Sequence, residues 1–151
     1  MDVHLLTLLP DSLLVDLPEI DAQHEEIFHE IESLRAACFE SDYRSTEEFE
    51  SLLELFETHF ATEERIADEA GIEFTRHATV HRDTLRLLRR ALAEVVSGGQ
   101  DAHSFLRYAE YWFERHINEN DRSFVATLKI AYRRRSPKRR RAAGRLQAAS
   151  I

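Results

Sequence analysis

Residues 45–71 read STEEFESLLELFETHFATEERIADEAG. Ser45 and Glu48 have the spacing of a capping box, and Gly71 closes the stretch. Between them Leu52, Phe56, His59, Glu63, Ile66 and Ala70 recur every three or four residues. That is the helical period, so these side chains share one face. Such a face turns inward in a globular chain. The segment therefore buries an imidazole and a carboxylate one turn apart. A buried carboxylate without a partner costs on the order of several kcal/mol or changes its pKa. Something must meet Glu63.

Outward from this stretch the pattern repeats. No proline lies between Pro18 and Ser136, and breaks fall at Ser41–Ser45, Gly71 and Gly98–Gly99. These divide the chain into four segments of helical length. The first carries Ile20, His24, Ile27, Ile31 and Leu34 on one face, with Pro18 near its first turn. The third carries Phe74, His77, His81, Leu85, Leu88, Leu92 and Val95. The fourth carries Phe105, Ala109, Trp112 and His116, followed by Asp121, Phe124 and Leu128. Short connections favour antiparallel neighbours. The expected fold is all-α: an antiparallel up-down-up-down four-helix bundle, preceded by an N-terminal extended segment and followed by a basic C-terminal tail. The bundle is assigned to residues 1–132 and a flexible tail to 133–151.

Composition agrees. The chain has 151 residues, 43% hydrophobic and 32% charged, which suits one globular domain. Four glycines and three prolines are too few for a turn-rich all-β fold. No run approaches the roughly 20 apolar residues of a membrane span. The N-terminus lacks the basic region of a signal peptide, and the one cysteine, Cys38, cannot form an internal disulfide. A reducing cytoplasm is the expected location. The net charge of −8 is unevenly placed. Residues 1–132 hold 12 basic and 28 acidic side chains, whereas residues 133–151 hold 8 basic and none acidic. The acidic body repels nucleic acid and anionic lipid. The tail, Arg133-Arg134-Arg135-Ser136-Pro137-Lys138-Arg139-Arg140-Arg141, has the charge to contact an acidic partner, an anionic membrane or its own bundle. It has no interleaved aromatics, so no specific nucleic acid is expected. A monomer or weak oligomer is expected.

Taken singly, each inward histidine has an ordinary explanation as a hydrogen-bonded core residue. Taken together they do not. His24, His59, His77, His81 and His116, with Glu63 and Asp121, interrupt the apolar stripes of four separate helices. Five imidazole nitrogens and four carboxylate oxygens nearly fill two octahedral ions. One bridging oxygen would leave a single open position. Imidazole mixed with carboxylate suits iron, and a lone zinc would use only four of the seven groups. One spacing resists this picture. His116 and Asp121 are five residues apart, about 140° around an ideal helix. Both reach one site only if the helix is irregular between them, and a π-type bulge is the expected form.

The quoted segments Ile20-Asp21-Ala22-Gln23-His24, His59-Phe60-Ala61-Thr62-Glu63-Glu64, His77-x-x-x-His81 and Trp112-Phe113-x-x-His116-Ile117-x-x-x-Asp121 resemble the hallmark segments of hemerythrins, in the order and spacing of the bacterial branch. The resemblance covers roughly residues 9–130. It implies a non-haem, oxo- or hydroxo-bridged di-iron centre that binds dioxygen reversibly. By that resemblance one iron takes His77, His81 and His116, and the other takes His24 and His59 and keeps the open site. Glu63 and Asp121 bridge them, and Ile27, Phe60, Trp112, Phe113 and Ile117 wall the ligand pocket. The pattern departs from the family at Phe113, where Leu is usual; at Leu9, for a Trp; at Asp16, for a Gly; and at Gly71-Ile72, for a Tyr-Pro pair. The function expected is oxygen storage, delivery or sensing without catalysis. The alternatives are a di-iron oxidase, peroxidase or nitric-oxide-processing enzyme, and an iron-handling or regulatory module. The other histidines (His4, His29 and His103) read as solvated, Cys38 as half-buried, and Tyr108, Tyr111 and Tyr132 as packing residues.

Overall fold

The structure is a computed structural model, and it describes residues 9–40 and 46–135. Four long helices follow one another: α1 (Pro18–Glu40), α2 (Thr46–Ala70), α3 (Thr75–Ser97) and α4 (Ala102–His116). A π-helical segment, Ile117–Asp121, joins α4 to α5 (Arg122–Arg135). Among the described residues no strand forms.

The directions of the helices can be read from their cross-links. Between α1 and α2, Glu19 pairs with Arg65, Gln23 with Thr62 and His24 with His59. Between α2 and α3, Glu57 pairs with Arg89, and His81 lies against Glu63. Between α1 and α4, Arg35 pairs with Glu110 and Phe28 packs on Phe113. In each case the numbers rise on one helix as they fall on the other. Neighbours are therefore antiparallel, as the short connections require.

The apolar stripes meet in one core. Ile20, Ile27, Ile31 and Leu34 of α1 are buried against Phe49, Leu52, Phe56 and Phe60 of α2. Leu88, Leu92 and Val95 of α3 and Phe105, Leu106, Ala109 and Phe113 of α4 complete it. Removing a buried Phe such as Phe56 from such a core costs about 3–5 kcal/mol.

Two helix ends set the entry of the next helix. Gly71 has φ 70° and Gly98 has φ 87°, the left-handed conformation that glycine adopts without cost. After α2, Gly71 N–H donates to Asp68 C=O and Ile72 N–H to Ala67 C=O. After α3, Gly98 N–H donates to Val95 C=O and Gly99 N–H to Glu94 C=O. Both are Schellman closures. Ile72 packs on the core, and so anchors the turn. At the start of α4, Asp101 Oδ1 accepts the Ser104 N–H at 2.9 Å, an N-cap.

Some boundaries move. α5 runs to Arg135, so Arg133–Arg135 continue the helix past the expected start of the tail. Residues 136–151, with the rest of the basic run, lie outside the described residues, as do His4 and Ser45 of the expected capping box. Tyr108, Tyr111 and Tyr132 are 43%, 58% and 47% exposed and do not pack in the core. Their stripe positions point to solvent because α4 and α5 bury the opposite face.

The segment before α1 is tied down at its carbonyls. Leu9, Leu13 and Val15 are buried around a 3-10 turn at Asp11–Leu13. The Arg122 guanidinium donates to Ser12 C=O and to Leu14 C=O. Asp21 Oδ1 accepts the Val15 N–H at 2.9 Å. The chain enters α1 through Asp16 at φ 63°, the one non-glycine residue with positive φ among those described.

Candidate metal centre

Helices α1 to α3 contribute their polar residues by periodicity. His24 stands between Ile20 and Ile27 on the inward face of α1. His59 and Glu63 are one turn apart on α2, and His77 and His81 one turn apart on α3. His116 is the last residue of α4 and Asp121 the last of the π segment. There the Arg122 N–H donates to Ile117 C=O, five residues back. The widened turn carries Asp121 round to the face of His116, and the two touch at 2.9 Å from Nε2 to Oδ1. The irregularity expected from the spacing is present and has the expected form.

The seven groups form two sets sharing two members. Glu63, His77, His81, His116 and Asp121 present donor atoms within 4.8 Å of one another, and so do His24, His59, Glu63 and Asp121. All are buried except His77, which is 11% exposed at its side chain. The histidines aim Nε2 inward. Asp121 Oδ2 lies 2.9 Å from His24 and 3.3 Å from His59, while its Oδ1 lies 3.2 Å from His77 and 2.9 Å from His116. Glu63 divides in the same way. Its Oε2 is 3.8 Å from His59, and its Oε1 is 3.5 Å from His77 and 3.2 Å from His81. Each carboxylate turns one oxygen to the two-histidine set and the other to the three-histidine set.

These separations fit metal coordination. Donors at about 2.0–2.2 Å from one ion sit roughly 3 Å apart at adjacent positions. Glu63 Oε1 and Oε2, His81 Nε2 and Asp121 Oδ1 are buried with no hydrogen-bond partner. Buried polar atoms are normally satisfied, and these point at one another across a shared centre.

The electrostatics follow from burial. Desolvation, with the Asp121 carboxylate beside it, pushes the Glu63 carboxyl well above the ordinary range. Desolvation pulls Asp121 the same way, but the neighbouring His116 and the hydrogen bonds from His24 and His59 outweigh it and hold Asp121 well below. Burial lowers His59 to about 4 against the pull of Asp121. Burial and the neighbouring His77 and His116 lower His81 strongly. His59 and His81 are thus held neutral with their lone pairs available, the form that binds a cation.

Aromatic rings wall the two sets in different ways. Phe60 stacks on His81 with centroids 3.9 Å apart, Trp112 on His116 at 4.7 Å and Phe74 on His77 at 4.3 Å. On the other side Phe113 meets His24 and His59 edge-on, at 5.2 and 5.9 Å. Ile27 and Ile117 are buried and Trp112 is half-buried.

The model of the Hemerythrin HHE cation binding domain matches residues 15–128. The chain belongs to the hemerythrin family. It is 26% identical over 121 residues to bacteriohemerythrins of Pseudomonas aeruginosa (strain LESB58) and Pseudomonas paraeruginosa (strain DSM 24068 / PA7), an alignment covering 79% of either chain. No solved structure matches it. Family membership and the His/Glu/Asp cluster together make this a non-haem iron-binding domain.

One group around this hemerythrin-type centre, Gln23 with Thr62, carries no mark in the inward stripes. Gln23 Oε1 lies 2.9 Å from His59 Nδ1, and Gln23 Nε2 donates to Thr62 Oγ1 at 2.9 Å. Thr62 in turn donates to the Thr58 C=O. Accepting from Nδ1–H leaves the lone pair of His59 on Nε2, facing the centre. Both residues stand inside the quoted segments, next to or one turn from a ligand-type residue, and that position was the available signal. Phe74 stands on the inward stripe, but its stacking on His77 cannot be read from it. It shares the His77 face three residues upstream, and it also touches Phe124 at 4.9 Å. His29 and His103 are exposed, away from the cluster, and Cys38 is half-buried. No helix among the described residues is long and apolar enough to cross a membrane.

Proposed function

We propose that the chain binds dioxygen reversibly at a non-haem di-iron centre, in the cytoplasm and without catalysis. His77, His81 and His116 would hold one iron, His24 and His59 the other, and Glu63 and Asp121 would bridge them. The observation that carries this reading is the division of the two carboxylates, each giving one oxygen to either histidine set. A mononuclear site has no use for that arrangement. Two ferrous ions held there would supply the two electrons that reversible dioxygen binding requires.

The surrounding side chains act on water and protons. Phe60, Phe113, Ile27 and Ile117 are buried and apolar, so they exclude water and offer no proton. Gln23 holds His59 by its Nδ1, away from the centre. Di-iron bundles that activate oxygen are carboxylate-rich. Here imidazoles outnumber carboxylates five to two. Both features favour release of dioxygen unchanged over its consumption.

Metal analysis with anaerobic and aerobic spectra tests the reading. Two irons per chain are expected, with a visible absorption that appears on oxygenation of the reduced protein and vanishes when oxygen is withdrawn. Immediate, irreversible oxidation with release of hydrogen peroxide would favour an oxidase. One iron or one zinc per chain would overturn the di-iron assignment.

A further inference from the structure

The centre is closed by ring stacking on one side, but on the other a surface cavity comes within two rings of it. A cavity of about 320 Å³ opens where the segment before α1 crosses α1 and α4. Leu9, Leu13 and the half-buried Phe28 supply its apolar lining. The Phe28 ring lies 5.0 Å from that of Phe113, which is fully buried and sits edge-on to His24 and His59. Phe28 and Phe113 are therefore the rings between solvent and the two-histidine set.

The cavity is charged at its border. Glu25, Glu32, Glu110 and Glu114 line it. Arg35 answers two of them, with contacts of 2.7 Å to Glu32 and to Glu110. His29 also lines it. The balance is negative, so the approach repels anions over about a Debye length, roughly 10 Å at 0.1 M salt. Packed rings also strip a hydrated ion of water, which costs more than for a neutral diatomic.

We propose that Phe28 and Phe113 form a two-ring gate on the route to the His24/His59 side, and that the glutamates outside it select small neutral ligands over anions. The proposal rests on the di-iron reading above and adds the route and its selectivity.

The iron-loaded chain tests it by rapid mixing with two probes: azide for the oxidised protein and nitric oxide for the reduced protein. Phe113→Leu and Phe28→Leu are expected to raise both association rates roughly tenfold. Glu114→Gln, or a rise in ionic strength, raises the azide rate roughly threefold and leaves nitric oxide unchanged. Tyr111→Ser, on the exposed far face of α4, changes neither. Wild-type rates in both phenylalanine variants, or a salt-independent azide rate, would overturn the gate or the charge selection respectively. Xenon-pressurised crystals test the passage without iron: xenon is expected among Leu13, Phe28 and Phe113. An empty passage there would overturn the route. A chain that binds no iron but takes up xenon would overturn the di-iron reading and leave the route standing.

Discussion

The two halves of the centre are built from the same helices by different means. Around His77, His81 and His116 each imidazole is stacked on its own aromatic ring, and the rings are fixed by the core. Around His24 and His59 the ring of Phe113 stands edge-on, and the orienting contact is a hydrogen bond that His59 Nδ1–H donates to Gln23 Oε1 on another helix. Stacked rings hold a ligand set and fill the space above it. An edge-on ring and an amide hold a ligand set and leave a face to be approached. On the di-iron reading proposed above, the three-histidine half would be a socket and the two-histidine half the one a small molecule approaches.

The largest expected effects come from breaking one half at a time. Glu63→Ala removes an oxygen from each set, so bound iron should fall from two per chain to near zero by metal analysis. His24→Ala touches one set only and should leave about one iron, bound by His77, His81 and His116. Equal losses from the two variants would mean the halves do not bind separately. Next in size is Gln23→Leu. Loss of an outer hydrogen bond to a ligating imidazole typically costs 10–100-fold in metal affinity. The loss should fall on the second iron, and competition with a graded chelator would show it. Both irons weakening together would show that Gln23 supports the fold rather than His59.

How far the sequence disclosed this contrast depends on the range of each contact. The inward stripes of four helices were legible because helical period is local, and so was the set of seven polar residues on them. The spacing of His116 and Asp121 was legible for the opposite reason. It violates the period, and only a π turn reconciles both residues with one site. Gln23 was not legible as a support for His59, because its partner lies 36 residues away on another helix. That Phe60 stacks on His81 while Phe113 stands edge-on to His24 and His59 depends on the crossing of helices, which no stripe encodes. The length of α5 was underestimated because an arginine run reads as solvated tail, though arginine is a good helix former.

The metal-free protein offers a smaller, two-sided test. Burial depresses His59 from 6.5 to about 4, so the unfolded chain binds more protons in that interval. Stability from this group is full above pH 6.5 and is lost as pH falls toward 4. Glu63 is raised, so its contribution is full in acid and is lost as pH rises through its folded value. The apoprotein is squeezed from both sides, and metal relieves the squeeze. Glu63→Gln should remove the alkaline loss only. It should make the apoprotein more stable at pH 7, by about 1 kcal/mol, while preventing iron loading. Thermal melts of both apoproteins from pH 5 to 8 would check this. A destabilised apo-variant at pH 7 would mean that Glu63 is not held under electrostatic strain.

The smallest effects lie in the backbone and have opposite signs in the two halves. Asp16 leads into α1 and the two-histidine half at φ 63°, while Gly71 leads from α2 toward Phe74 and the three-histidine half at φ 70°. The conformations are nearly the same, but one residue carries a Cβ and the other does not. An L-residue there costs about 1–2 kcal/mol, less for Asp, whose short polar side chain tolerates it. Asp16→Gly should therefore stabilise the chain by only about 0.5 kcal/mol, because glycine also loses more freedom on folding. Gly71→Ala should destabilise it by about 1 kcal/mol, since that closure depends on the left-handed residue. Denaturant unfolding of the two variants would settle the pair. If Asp16→Gly were destabilising instead, its carboxylate would be holding the chain beneath Arg122, and the cover of the two-histidine half would owe its shape to charge rather than to a strained turn.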